Sequence, residues 1–139
     1  MYENYTRQAL PEKEYRELLG SALCVFNSNN AFVIENILRV DNQYNCNDLI
    51  DRTSGQLKEP VEETIIKESN SDIAKLFEII VEKRNRIIHS FQITNEDHEQ
   101  ILATKERNGR QFHITEAYLR AFIKDNERLS SLLHDFRGH

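Results

Sequence analysis

Apolar residues return at helical spacing through most of this chain. From Pro11, a residue suited to the first turn of a helix, they recur at Tyr15, Leu18, Leu19, Ala22, Val25, Phe26, Val33 and Ile37, three and four apart. The stripe is broken by Asn27-Ser28-Asn29-Asn30. Stepping four on from Phe26 or three back from Val33 lands on Asn30, a polar residue on the core-facing side. Residues 41 to 58 are polar and loop-like, with a short helix around Asn47 to Thr53 ended by Gly55, and Pro60 opens another over "VEETIIKES". The next helix starts at Ser71 or Asp72, both good N-caps, and its stripe is Ile73, Leu76, Phe77, Ile80, Ile87, Ile88 and Phe91. After the acidic loop "TNEDHEQ" the period changes. Two short runs flank Asn108-Gly109, a strong two-residue hairpin signal. Thr115 caps a last helix with the stripe Tyr118, Ala121, Phe122, Leu129, Leu132, Leu133 and Phe136, and Gly138 lies just beyond it. The pattern predicts an all-α fold in one domain over residues 1–139: a four- or five-helix up-and-down bundle with a small β-hairpin before the last helix.

Composition narrows the function classes. With 29% charged and 39% hydrophobic residues, the chain is expected to fold rather than stay disordered. No apolar run approaches the roughly 20 residues of a membrane span, and the N-terminal stretch lacks the basic and apolar regions of an export signal. Cys24 and Cys46 are read as two reduced thiols, without the spacing of a zinc site. The expected compartment is the cytoplasm. A net charge of -5 argues against a broadly basic nucleic-acid surface, so any phosphate site must find its positive charge locally.

One local cluster stands out: "VEKRNRIIHSF", residues 81 to 91. Arg84 follows Ile80 by four and precedes Ile87 and Ile88 by three and four, so it lies on the apolar stripe. A guanidinium there needs a carboxylate or an anionic ligand, and Glu35 on the first helix is a candidate carboxylate, although most such glutamates are surface residues. Asn85 and His89 share the neighbouring ridge. Arg84 and His89 are about 140° apart on a helical wheel, so two copies facing each other across a dimer would let both kinds of side chain converge. The plainer reading gives Arg84 an acidic partner and makes His89 a favourable charge at a helix C-terminus.

The run Arg84-Asn85-Arg86-Ile87-Ile88-His89 fits R-x(4)-H with a polar residue after the arginine, and it resembles the signature of the HEPN superfamily. The order of elements, a long first helix, the motif late in a central helix and a final packing helix, is similar to HEPN proteins over most of the chain. The resemblance implies a metal-independent endoribonuclease that needs no cofactor, acting as a toxin or phage-defence effector through a composite site in a homodimer. By position, Arg84 and His89 would be the catalytic pair and Asn85 the polar residue that orients them. The residue types suit that chemistry. RNA carries its own nucleophile in the 2′-hydroxyl, an imidazole can move protons near neutrality, and a guanidinium can hold two phosphate oxygens. In HEPN toxins silenced by a nucleotidyltransferase, a tyrosine stands two positions after the histidine. Here that residue is Phe91, which puts such a partner in doubt and leaves any antitoxin or regulatory protein unspecified.

Arg86, Lys105, Arg107 and Arg110 are candidates for an RNA-binding surface, the last two on either side of the hairpin tip. A solvated turn accounts for them equally well. Asn30 either hydrogen-bonds to the motif across the helices or marks a helix irregularity. His98 among Glu96, Asp97 and Glu99 is read as a solvated loop, not a metal site. The alternative function is a catalytically inactive HEPN-like bundle that binds RNA or a protein partner.

Overall fold

A computed structural model of the chain describes residues 2–52, 54–66 and 72–138. It is mostly helical, with five α-helices and a three-stranded antiparallel sheet placed before the last helix. Helix α1 spans Lys13–Val40, α2 Cys46–Asp51, α3 Lys58–Val61, α4 Asp72–Ile88 and α5 Glu116–Arg137. Strands β1 (Phe91–Thr94), β2 (Gln100–Lys105) and β3 (Gln111–Ile114) form the sheet in sequence order. Among the described residues no helix is long and apolar enough to cross a membrane.

The core is built on α5, which packs against both α1 and α4, each helix offering a stripe of three- and four-residue spacing, and Leu49, Leu57, Val61 and Ile65 extend it. Tyr15, Ala22, Phe26, Val33 and Ile37 of α1 meet Leu119, Phe122, Leu129 and Leu133 of α5, with Ile73, Phe77, Ile80 and Ile87 of α4 closing the third side. Phe26 stacks on Phe122 at 6.3 Å between ring centroids, and Arg39 reaches the carbonyl oxygens of Phe136 and Arg137. Contacts therefore advance together along both chains, and α1 and α5 run parallel. Two buried amides fix their register. Asn29 Nδ2 donates to the Asn126 carbonyl at 2.7 Å and to its Oδ1 at 3.0 Å, while Asn126 Nδ2 donates to the Phe122 carbonyl.

Thr115 caps α5 as its sequence position implies, its hydroxyl accepting from the Tyr118 N–H at 3.1 Å. The α5 stripe differs by one position from the expected set. Leu119 is fully buried and Ala121 is exposed, because Leu119, Phe122, Asn126, Leu129 and Leu133 keep unbroken three- and four-residue steps. Asn45 caps α2 through its side-chain oxygen, and that helix stops before Arg52 rather than at Gly55. Pro60 does not open a helix. It lies inside a continuous helical stretch that begins with a 3₁₀ turn at Ser54–Leu57, passes through α3 and widens to a π turn at Glu62–Ile66. The expected cap at Ser71, the helix end at Thr53 and the tail of "VEETIIKES" lie outside the described residues.

The expected hairpin is a three-stranded meander. Phe91, placed on the α4 stripe by periodicity, instead begins β1, because α4 ends at Ile88 and the Ser90 hydroxyl donates back to the Ile87 carbonyl. Both strand connections use the same design. Glu106 and Arg110 pair across a three-residue loop whose last member, Gly109, has φ 90°. Asn95 and Glu99 pair across another whose last member, His98, has φ 63°. The loop at Asn108-Gly109 is thus three residues long, the next commonest hairpin geometry, with the left-handed residue closing it. The second loop is stabilised by Asn95 Oδ1, which accepts from the Asp97 and Glu99 N–H groups at 2.9 Å each.

One hydroxyl ties the sheet to the helices. Tyr15 Oη donates to the Ile114 carbonyl at 2.6 Å and accepts from the Leu102 N–H at 3.1 Å, and those two residues are register partners in β2 and β3. Tyr15→Phe removes both bonds and leaves two backbone groups unanswered, so it is expected to cost about 1–3 kcal/mol in urea unfolding. Burial also pushes the Tyr15 phenol above its ordinary 10.0. A raised folded value favours the protonated fold, so this contribution is complete below pH 10 and is lost as pH climbs through the folded value. The variant is expected to show a flatter alkaline limb than wild type.

Candidate anion-binding site

The late turns of α4 and the middle of α1 enclose a cleft of about 480 Å³ lined by Phe26, Asn27, Asn30, Arg52, Ser54, Gly55, Arg84, Asn85 and His89. Three sequence candidates, Arg84, Asn85 and His89, therefore share one cavity, with Asn30 on its opposite wall. Arg84 is half-buried, as its place on the stripe implies. Its guanidinium lies 4.9 Å over the Phe26 ring, and its Nε is buried without a hydrogen-bond partner. Among the described residues no carboxylate forms an ion pair with it. Glu35, the candidate partner, pairs instead with Arg137 at 2.9 Å, because the parallel register of α1 and α5 brings their C-terminal turns together. Burial pushes the Arg84 guanidinium below its ordinary value, and no opposite charge offsets that loss of solvation.

The remaining wall is polar, and among the described residues no acid lines it. His89, directly after the last residue of α4, is exposed, and its N–H donates to the Asn85 carbonyl at 2.9 Å. Among the described residues no side-chain hydrogen bond joins Asn85 to Arg84 or His89. The structure places its amide in the cleft but does not make it a clamp on either. Asn30 Oδ1 accepts from the Ser54 hydroxyl at 2.7 Å. Asn30 thus faces the motif's cavity but bonds to the loop after α2, while its neighbour Asn29 is the residue committed to the core. That loop also contributes Arg52, an exposed cation that sequence reasoning missed. The loop lies far from the motif in sequence, and no periodicity marks it.

The other basic candidates stand elsewhere. Arg86 turns toward the sheet, where its Nη1 donates to the Lys105 carbonyl and its Nε lies 3.4 Å from Glu82 Oε1, without hydrogen-bond geometry. Lys105, Arg107 and Arg110 are exposed around the β2–β3 loop. They form a separate basic edge rather than part of the cleft. Among the described residues no group of His, Cys, Asp and Glu is placed to hold a metal ion, and Cys24 and Cys46 are exposed free thiols.

No family model, curated protein or solved structure matches this chain. The cleft's chemistry must be read from its own residues. Two guanidinium groups, an imidazole and three amides without a facing carboxylate make a receptor for an oxyanion.

An anion that binds only the folded chain raises its stability by mass action. Millimolar inorganic phosphate is therefore expected to raise the melting temperature. Arg84→Met, which keeps the packing over Phe26 but removes the unanswered charge, is expected to be at least as stable as wild type without ligand. It is also expected to lose the phosphate response. A scan of melting temperature against phosphate concentration checks both.

Proposed function

We propose that this chain is a metal-independent endoribonuclease of the HEPN type, a helical up-and-down bundle that works as a homodimer in toxin or phage-defence biology. The observation that carries the reading is Arg84: a half-buried guanidinium that has no carboxylate partner among the described residues and lies in one cavity with His89 and Asn85. The structural arginines of this fold find an acid, as Arg137 does, or backbone carbonyls, as Arg39 does. One held open and desolvated is set for a phosphodiester.

In this mechanism the 2′-hydroxyl of RNA attacks the adjacent phosphorus. A new O–P bond closes a 2′,3′-cyclic phosphate and the bond to the 5′-oxygen breaks. Arg84, with Arg52 lining the same cavity, holds the non-bridging oxygens as negative charge builds on them. His89 transfers a proton, either from the 2′-hydroxyl or to the departing 5′-oxygen. The two transfers fall at opposite ends of the reacting phosphorus, which favours two histidines and hence two chains. Exposed apolar residues beside the motif support that arrangement: Ile88 is 49% exposed and Phe91 44%, flanking His89 on either side in sequence. The β2–β3 loop, with Arg107 and Arg110, supplies non-specific contacts to the RNA backbone.

The purified protein is expected to cleave single-stranded RNA in EDTA, leaving 2′,3′-cyclic phosphate and 5′-hydroxyl ends. His89→Ala should slow cleavage by roughly 10²–10⁴, the worth of a positioned general acid or base. Arg84→Ala should be comparably impaired, and Arg84→Lys should recover little because it lacks the planar fork. Binding of RNA without any cleavage, unchanged by His89→Ala, would replace this reading with that of an inactive RNA-binding bundle.

Light scattering at micromolar concentration is expected to give the mass of two chains. Replacing Ile88 and Phe91 together by glutamate is expected to halve that mass and abolish cleavage. A monomeric wild type that cleaves RNA would remove the composite site.

A further inference from the structure

A second cavity adjoins the cationic cleft at Asn27 and Asn30. The two asparagines form one wall of this groove, of about 490 Å³, between α1 and α2. Its other walls are mainly apolar, with Ile34, Leu38 and Ile50 among them, Cys46 at the start of α2, and Glu35 as the one charged lining residue among the described residues. Ile50 is 61% exposed, an aliphatic side chain left open on the groove's edge. The Glu35 carboxylate is paired with Arg137 at 2.9 Å, which offsets its charge at the groove wall.

We propose that this groove is a nucleobase subsite, so that one nucleotide spans both cavities with its phosphate at Arg84 and its base between α1 and α2. This rests on the reading of the cleft as a phosphodiester site. Three features select a base over other apolar occupants. The groove adjoins the anion cleft across Asn27 and Asn30, so a base and its phosphate would lie on either side of those two side chains, one sugar apart. Its aliphatic walls suit a flat ring, which is sequestered from water by contact with Ile50 and Leu38. The amides at the junction offer what a base edge requires. Among the described residues no hydrogen bond engages the Asn27 amide, and the Asn30 Nδ2 donors have no partner, since only its oxygen is used by Ser54. A carboxamide presents a donor and an acceptor side by side, matching the paired groups on a base edge. The consequence is a base preference at the nucleotide next to the scissile bond, set by Asn27 and Asn30 rather than by the R-x(4)-H motif.

The two exposed thiols test this without any substitution. Cys46 lines the groove, whereas Cys24 lines neither cavity. Alkylation by iodoacetamide is followed at each cysteine by mass spectrometry, with no ligand, with inorganic phosphate, and with each of the four nucleoside 3′-monophosphates. At a concentration about ten times its Kd, the preferred nucleotide is expected to slow Cys46 about tenfold, the fraction of sites left free. Phosphate should leave Cys46 unchanged, and Cys24 should react alike throughout. Ile50→Ser is expected to bring nucleotide affinity down to that of phosphate, with phosphate affinity unaltered. If nucleotide and phosphate both raise the melting temperature yet leave Cys46 equally reactive, or if nucleotide slows both thiols alike, the base subsite is refuted while the anion site stands. If neither raises the melting temperature, the anion site and the base subsite fall together.

Discussion

The register of α1 against α5 is the constraint on which the rest of this molecule depends, and a pair of buried amides sets it. Asn29 and Asn126 are 6% and 1% exposed, so their polar atoms have no water to turn to. In the observed register the donors of both amides find oxygens. Sliding one helix by a turn would part Asn29 Nδ2 from both Asn126 oxygens and leave buried polar groups on each amide unanswered, at about 1–3 kcal/mol apiece. The bond from Asn126 Nδ2 to the Phe122 carbonyl lies within α5 and would survive. Apolar side chains alone would tolerate such a slip far better, because aliphatic surfaces repack with modest loss. With the register fixed, Phe26 is held against Phe122, and its ring becomes the floor beneath the Arg84 guanidinium.

That floor explains how an unpaired charge is kept in place. The ring face attracts the cation, but it does not replace the hydrogen bonds that water gave to Nε. Arg84 is therefore held in position at some cost in stability. Local cost of this kind is tolerated where a site must be organised before its ligand arrives. Arg86, two residues on, shows the contrasting solution. It points to the sheet, is answered by a carbonyl and lies near a carboxylate. Two arginines in one helical turn thus have opposite roles, one joining α4 to β2 and the other left open toward the cleft.

The long helices and the displacement of Arg84 onto the apolar side could be read directly from residue spacing, since burial of a stripe is what makes these helices pack. Choosing between Asn29 and Asn30 could not. Both fall within the arc between Phe26 and Val33, and only contact with Asn126, 97 positions away, decides which is buried. Glu35 is an exposed residue, as most such glutamates are, but its partner was hidden for the same reason: Arg137 lies about a hundred positions on. The first strand was hidden because "TNEDHEQ" resembles open loop, while its turn depends on His98 adopting a left-handed backbone, which a non-glycine residue adopts infrequently. Arg52 gave no signal at all, being carried to the cleft by a loop of irregular helical turns.

The parallel pairing of α1 with α5 has a consequence for the order in which the site comes into being. Helices adjacent in space here are far apart in the chain, and the contacts joining them, such as Asn29 with Asn126, 97 positions on, close a long loop. On a ribosome, α1 emerges early and must wait, its stripe uncovered, through the making of α4 and the sheet. Until α5 follows, Phe26 has no ring to rest on and Arg84 no settled floor. Synthesis thus imposes a delay on the cleft: whatever chemistry it performs begins only after the last helix has left the tunnel and docked.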